Sequence, residues 1–182
     1  MQRDLSHFFD PETPAPEPSA ETAKQAQEEA DGGTPALQAH GYYVRIAGRA
    51  STPIRTAGGS LTVLVVEDDL AFSVLLKNLL ALQGFQVRTA ANRAGVVAGL
   101  AQLPIPDLVL LDVRLPDANG FDILLRMRRH PALAGIPVIM LTGEATHEAV
   151  AQGLAAGADG YVAKPFEMEN LVRAIRLVLG LS

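Results

Sequence analysis

The chain has 182 residues, of which 48% are apolar, and a formal net charge of −5. This length allows one ordinary domain with an extension, and the absence of cysteine excludes disulfides and thiolate metal sites and favours a reducing compartment such as the cytoplasm. The negative charge disfavours nucleic acid as a partner, and no apolar run is long enough for a signal peptide or a membrane span. We therefore expect neither nucleic acid nor a membrane among the partners.

Residues 1–59 are predicted to form a mostly disordered extension rich in Pro, Ala and Glu. The segment DPETPAPEPS at 10–19 can form neither a helix nor a strand ladder and has little to bury. A short helix at 19–30 and a short strand within 42–46 are the elements that this part favours. Residues 41–60 are interpreted as a flexible lead-in or, alternatively, as a docking patch of Arg and Tyr for a partner or for the acidic face of the domain.

A folded domain is predicted over 60–182. The run LTVLVV at 61–66 is typical of a strand that is buried on both faces of a parallel sheet, and similar runs follow at 86–90, 107–111, 137–141 and 160–163. Apolar residues at helical spacing occupy the gaps between the runs and follow the last one. Five strands alternating with five helices predict an α/β fold with a doubly wound, five-stranded parallel sheet.

Acidic side chains follow two of the predicted strands at their carboxyl ends. Glu67, Asp68 and Asp69 come after the first strand, and Asp112 comes after the third. Because ligands of such sheets bind at the carboxyl ends of the strands, we expect these carboxylates to share one crevice. An all-oxygen cluster favours Mg²⁺ (or Mn²⁺) over Zn²⁺. Asp69 lies one residue past the pair and is interpreted as the N-cap of the first helix.

Two further groups are expected at the same edge. The fourth strand is followed by Thr142, and the fifth by Lys164. A nucleophilic carboxylate, a divalent cation, a lysine and a hydroxyl are what a transferring phosphoryl group requires. Asp112 would attack phosphorus and form an acyl phosphate, and no general base is needed because the carboxylate is already ionised.

Four segments occur in order from Leu61 to the C-terminus: VLVVEDD, DLVLLDVRLPDANGFD, VIMLTG and GADGYVAKPF. In these segments the sequence resembles the receiver domains of two-component response regulators. The resemblance implies a flavodoxin-like (βα)5 fold with strand order 2-1-3-4-5. It also implies a phosphoacceptor signalling protein rather than an enzyme, although such a domain assists its own phosphotransfer and autodephosphorylation.

The resemblance assigns the metal site and the acceptor. Asp112 is implied to be the phosphoacceptor. Glu67, Asp68, Asp112 and the backbone carbonyl of Arg114 are implied to hold Mg²⁺.

The resemblance also assigns a switch. Thr142 and Lys164 are implied to contact the phosphoryl group, and Thr142 with Tyr161 to change the face formed by the fourth helix, fifth strand and fifth helix of the domain. The peptide before Pro165 is expected to be cis.

The partners implied by the resemblance are a histidine kinase or a histidine phosphotransfer protein and a downstream protein target. A homodimer through the fourth helix, fifth strand and fifth helix is a further option. One amphipathic helix follows Lys164, so we expect no output domain after it. The alternative function is a phosphorylation-independent adaptor or scaffold with the same fold.

Two predictions concern charged side chains outside the core site. Arg126, Arg128 and Arg129 are interpreted as the solvated end of the third helix. Arg114 and Glu144 either pair across the site and shield an acyl phosphate, or are two exposed side chains that never meet.

Overall fold

A computed structural model of the protein describes two continuous ranges, 59–143 and 146–181, together with a few N-terminal residues. The latter are Leu5, His7, Phe8, Ala20, Lys24 and the backbone of Tyr42–Val44. The strands are β1 (Tyr42–Val44), β2 (Thr62–Val66), β3 (Gln86–Ala90), β4 (Leu108–Asp112), β5 (Val138–Thr142) and β6 (Gly160–Ala163). The helices are α1 (Leu70–Leu82), α2 (Arg93–Ala101), α3 (Gly120–Arg129), α4 (His147–Ala155) and α5 (Met168–Val178).

The five strands of the predicted domain form a parallel sheet in the order β3-β2-β4-β5-β6. This order confirms the doubly wound α/β fold and the 2-1-3-4-5 arrangement. Side chains of α2, α3 and α4 share one apolar cluster, and those of α1 and α5 share the other. Every residue of β2, β4 and β5 is buried, because helices cover both faces of the sheet.

A sixth strand lies on the outer edge of β6. Three residues, Tyr42–Val44, pair antiparallel with β6, which confirms the short strand predicted within 42–46. The strand that it would join could not be predicted from its residues. Of the predicted helix at 19–30 the structure describes Ala20 and Lys24, and both are helical. The rest of that helix and most of the predicted disorder in residues 1–59 fall outside the described residues.

The N-terminal residues Leu5 and Phe8 also contact the domain. Both are buried in the cluster on the α3 side of the sheet. The Phe8 carbonyl accepts a hydrogen bond from Arg126 Nη1 at 3.1 Å, and the Phe8 ring packs edge-on against His130. The segment predicted as an extension therefore contributes to the core at this point.

Short polar residues, the types favoured as N-caps, precede four of the helices. The Asp69 carboxylate accepts a hydrogen bond from the Phe72 N–H at 3.0 Å, which confirms Asp69 as the N-cap of α1. Asn92, Asn119 and Thr146 cap α2, α3 and α4 in the same way. Within the described ranges no helix is both long and apolar enough to cross a membrane.

Arg128 is not the solvated side chain that the sequence suggested. Its side chain is 10% exposed, and its guanidinium donates to the Asp159 carboxylate at 2.8 Å and also to the carbonyls of Ala134, Ile136 and Gly157. The same Asp159 oxygen accepts from the Val138 N–H at 2.9 Å. Arg128 thus joins the end of α3 to the segments that enter β5 and β6, and only Arg129 is exposed as predicted.

Substitution of Arg128 by alanine should lower the free energy of unfolding by about 3 kcal/mol, because a partly buried carboxylate and three carbonyls lose their donor. Urea denaturation followed by circular dichroism measures this change. Arg129→Ala is the matched control and should change the free energy by less than about 0.5 kcal/mol. Equal effects of the two substitutions would contradict this role of Arg128.

Candidate functional site

The acidic side chains meet at the carboxyl ends of β2 and β4. Glu67 follows β2 directly, Asp112 is the last residue of β4, and these strands are neighbours in the sheet. Carboxylate oxygens of Glu67, Asp68 and Asp112 all lie within 4.8 Å of one another. Glu67 and Asp112 are buried and Asp68 is exposed, so the cluster is open to solvent on one side.

Lys164 is the cation of this cluster. Its ammonium Nζ donates to Glu67 Oε2 at 2.5 Å and to Asp112 Oδ2 at 2.8 Å. Nζ also lies 4.8 Å from the centre of the Phe72 ring, within the range of a cation–π interaction. A single lysine therefore bridges two of the three carboxylates.

The electrostatics of the bridge favour a charged Lys164. Burial lowers the pKa of Lys164, but hydrogen bonds from Nζ to Asp112 and Glu67 and their negative charges outweigh this, so that the pKa is raised above 10.5. Burial raises the pKa of the Glu67 carboxyl above its ordinary value of 4.5, and Lys164 opposes that shift. Keeping the Glu67 carboxylate ionised therefore costs free energy unless a further cation is bound.

The loop after β4 fixes Asp112 from its backbone side. The Arg114 N–H donates to Asp112 Oδ1 at 3.2 Å. A Cβ at Gly120 would collide with the backbone oxygen of Asp112, so only glycine fits where α3 begins. The Gly120 N–H donates to the Val113 carbonyl at 2.8 Å. Gly120 is therefore needed for the close approach of α3 to the strand end that carries Asp112.

Thr142 and Tyr161 lie on the neighbouring strands β5 and β6 and are both buried. Thr142 is the last residue of β5, and its carbonyl accepts from the Lys164 N–H at 2.7 Å. A Cβ at Gly153 of α4 would lie 2.9 Å from the Tyr161 ring, so the absence of a side chain at Gly153 leaves room for the aromatic ring. The Lys164–Pro165 peptide is cis, as predicted.

Of the residues predicted from sequence, the structure gathers Glu67, Asp68, Asp112 and Lys164 into one cluster. Arg114 lies beside Asp112, and Glu144 is outside the described residues, so their predicted pairing stays a prediction. The functional roles assigned to these residues by resemblance also remain predictions.

Sequence reasoning missed an aromatic wall beside the cluster. Phe72 and Phe166 stack edge-on, with ring centres 5.8 Å apart, and line a cleft with Glu67, Lys164 and Pro165. The signal was available for Phe72, because its position three residues after an N-cap places it in the first turn of α1. Phe166 carried no comparable signal, since its position depends on the turn after Lys164.

The donor set fits a hard divalent cation. Three carboxylates supply oxygen ligands, and the described residues add neither histidine nor cysteine to the cluster. Mg²⁺ is commonly held by one or two carboxylates together with waters and substrate phosphate oxygens. The exposed side at Asp68 leaves room for such an arrangement.

Comparison with known proteins gives one consistent family. The model of the response regulator receiver domain matches residues 63–176. The probable transcriptional regulatory protein TcrX of Mycobacterium tuberculosis is 38% identical over 69% of this chain and 52% of its own length. The phosphate regulon regulatory protein PhoB of Rhizobium meliloti is 38% identical over 64% of this chain and 51% of its own. The chain thus spans about half the length of these curated relatives.

Solved structures agree on the fold. A putative response regulator from Chloroflexus aurantiacus has a TM-score of 0.63 and 34% identity, and the match covers 66% of this chain and 98% of that one. The chemotaxis protein CheY4 of Vibrio cholerae has a TM-score of 0.62 and 30% identity, with 66% and 100% coverage.

The expectation that nucleic acid is not a partner is wrong for this family. Similar proteins include RpaA of a Synechocystis species and MtrA of Mycolicibacterium paratuberculosis, both named as DNA-binding regulators. The net charge of −5 describes only a chain that spans about half of each relative. It therefore carries no information about what the other half of a longer protein binds.

Replacement of Lys164 by methionine should lower the free energy of unfolding at neutral pH by about 2 kcal/mol, because two partly buried carboxylates lose their cation. The expected loss is below that of a fully buried pair because the lysine side chain is 24% exposed. Denaturation as a function of pH measures it, with the exposed Lys77→Met as control.

The pH dependence of this loss has a definite sign. The raised pKa of Lys164 means that its stabilisation is fully present below 10.5 and disappears as pH rises through the folded-state pKa. The difference between wild type and Lys164→Met should also shrink as the carboxylates are protonated in acid. A difference that persists after protonation would argue against the ion pair as its cause.

Proposed function

Because this chain belongs to the response regulator receiver domain family, we propose that it is a phosphoacceptor signalling protein in which Asp112 receives a phosphoryl group. The observation that carries the proposal is the cluster at the carboxyl ends of the strands, where Lys164 contacts both Glu67 and Asp112. Receiver domains are signalling proteins rather than enzymes in the general sense, and the chemistry proposed here is a single transfer to the chain itself.

The donor is proposed to be a phosphohistidine of a histidine kinase or of a histidine phosphotransfer protein. An Asp112 carboxylate oxygen attacks phosphorus and forms the P–O bond of an acyl phosphate while the P–N bond to imidazole breaks. The electron pair of that bond remains on the imidazole nitrogen, which takes up a proton. Asp112 needs no general base because it reacts as the carboxylate.

Glu67, Asp68, Asp112 and the backbone carbonyl of Arg114 would hold Mg²⁺ (or Mn²⁺), which supplies positive charge against the anionic donor. Three carboxylates with one lysine leave the cluster negatively charged, and this would repel a phosphoryl group in the absence of a cation. The backbone N–H of Arg114, already directed at Asp112 Oδ1, helps to orient the acceptor carboxylate.

Lys164 and Thr142 are proposed to bind the oxygens of the transferred phosphoryl group. Lys164 would exchange its contacts with the carboxylates for a phosphoryl oxygen, and the Thr142 hydroxyl would turn towards the same group. Tyr161, on the strand next to Thr142, would follow and change the face formed by α4, β6 and α5 for a protein partner. Hydrolysis of the acyl phosphate, assisted by the same site, would reset the protein in the cytoplasm.

Incubation of the protein with Mg²⁺ and acetyl phosphate should add one phosphoryl mass, measured by intact-mass spectrometry. The added mass should be absent in Asp112→Asn and on chelation of the metal, because the nucleophile or the cation is then missing. Asp69→Asn is the matched control, since asparagine caps a helix as well as aspartate does and Asp69 is not proposed as a ligand. A wild-type protein that remains unmodified would favour the adaptor function instead.

Mg²⁺ should raise the stability of the folded protein, by about 1.4 kcal/mol at a free concentration tenfold above its dissociation constant. Proton and metal compete for Glu67, whose pKa is raised by burial. The stabilisation should therefore disappear as pH falls through a value above the ordinary glutamate pKa of 4.5. Thermal unfolding with and without Mg²⁺ over a pH series measures this.

Glu67→Gln is the comparison for the pH series. It should show weaker stabilisation by Mg²⁺ at neutral pH and a decline displaced to lower pH, because the group with the raised pKa is gone. Stabilisation that is independent of pH across the acidic range would show that Glu67 is not a ligand.

A further inference from the structure

The outer edge of β6 is occupied by a segment of the chain itself. In the parallel sheet, β6 is the last strand, and an unpaired edge strand presents a row of backbone N–H and carbonyl groups to any extended peptide. Tyr42–Val44 pairs with these groups in antiparallel register over Gly160 to Val162. The N-terminal segment therefore blocks strand addition at this edge.

The strand that β1 covers is also the strand that links the acidic cluster to the switch. Tyr43 lies opposite Tyr161 in the register, and Lys164 is the first residue after β6. The Lys164 N–H donates to the carbonyl of Thr142. Lys164 lies two residues after Val162, which pairs with Tyr42, and Thr142 pairs with Ala163. A displacement of Lys164 or Thr142 is therefore transmitted to the part of β6 that pairs with β1.

A second contact fixes the N-terminal segment to the same domain. Leu5 and Phe8 are buried in the apolar cluster that includes α3 and α4, and Arg126 holds the Phe8 carbonyl. The chain is thus attached to the domain before residues 9–41 and again at β1. This arrangement keeps Tyr42–Val44 at a high local concentration near the β6 edge even when the strand is unpaired.

We propose that the β6 edge is a strand-addition surface, and that Tyr42–Val44 occupies it in the unphosphorylated protein and leaves it when Asp112 is phosphorylated. Release would open the edge to an extended segment of a protein partner. The proposal rests on the proposed phosphoacceptor function.

The direction of this coupling follows from the contacts of Lys164. In the structure the Lys164 ammonium contacts Glu67 and Asp112, and in the same structure the backbone of β6 is placed so that it pairs with β1. A phosphoryl group would draw Lys164 and Thr142 towards itself and displace the end of β6. A three-residue strand has few ladder hydrogen bonds, so a small displacement is enough to favour its release. Because such coupling is reciprocal, β1 pairing must disfavour phosphorylation by the same free energy by which phosphorylation disfavours β1 pairing.

Hydrogen–deuterium exchange of the full chain tests the coupling, with beryllofluoride and Mg²⁺ as the phosphoryl analogue. The peptide that contains Tyr42–Val44 should be protected with Mg²⁺ alone and should exchange at least about fivefold faster once beryllofluoride is bound. Asp112→Asn, which lacks the carboxylate that beryllofluoride requires, should show no change.

Fluorine NMR of the same samples separates two kinds of failure. If no Mg²⁺-dependent bound fluoride signal appears, the phosphoacceptor function itself fails, and the coupling with it. If the analogue is bound and exchange of Tyr42–Val44 is unchanged or slower, the coupling is overturned and the phosphoacceptor function stands.

A proline scan tests whether strand pairing is the cause. In an antiparallel pair, alternate residues direct their N–H groups at the partner strand, and proline is tolerated at an edge only where the N–H faces away. Tyr42→Pro and Val44→Pro should therefore have the same effect, and Tyr43→Pro should differ from both. Proline at the positions whose N–H faces β6 should give faster exchange of β6 and a higher phosphorylated fraction with acetyl phosphate, and proline at the other positions should leave both unchanged. Ala50→Pro, six residues after Val44 in the sequence, is the control. Equal effects of all three strand substitutions, or none, would overturn the proposal.

Discussion

The bridge from the Lys164 ammonium to the carboxylates of Glu67 and Asp112 is the interaction on which the site depends. Three carboxylates within 4.8 Å of one another would repel strongly at the edge of an apolar core, and the lysine offsets only part of that repulsion. The remaining negative charge favours a divalent cation at this cluster. Under the proposed function the same imbalance would make the site responsive, because an incoming phosphoryl group would compete for the lysine that holds the carboxylates together.

The fold brings these groups together because all of them lie at strand carboxyl ends. Glu67, Asp112, Thr142 and Lys164 terminate or follow β2, β4, β5 and β6, so the parallel sheet places them along one edge. The edge is held from behind by buried side chains and by the close approach of α3 at Gly120, which admits no Cβ. The position of Asp112 at the strand end is therefore fixed by backbone packing.

Much of this was predictable because it depends on local pattern. Apolar runs gave the strands, the acids after them gave the cluster, and the position of Asp69 gave the cap of α1. The errors arose where a residue acts over distance. Arg128 looked like one of three solvated arginines on a helix end, because the carbonyls and the carboxylate that it binds are 6 to 31 residues away in sequence. The pairing partner of β1 and the burial of Leu5 and Phe8 were missed for the same reason, since a short apolar segment in a polar extension does not specify what it contacts.

The strand β6 connects the acidic cluster, the buried Tyr161 and the N-terminal strand β1. Its carboxyl end leads into Lys164, its centre carries the fully buried Tyr161, and its outer edge bears β1. Gly153 leaves the space that the Tyr161 ring fills, so the ring is packed inward while Lys164 is still paired with the carboxylates. The backbone of β6, which is paired with the strand of Thr142 on one side and with β1 on the other, is then the element through which charge at the cluster would alter the surface.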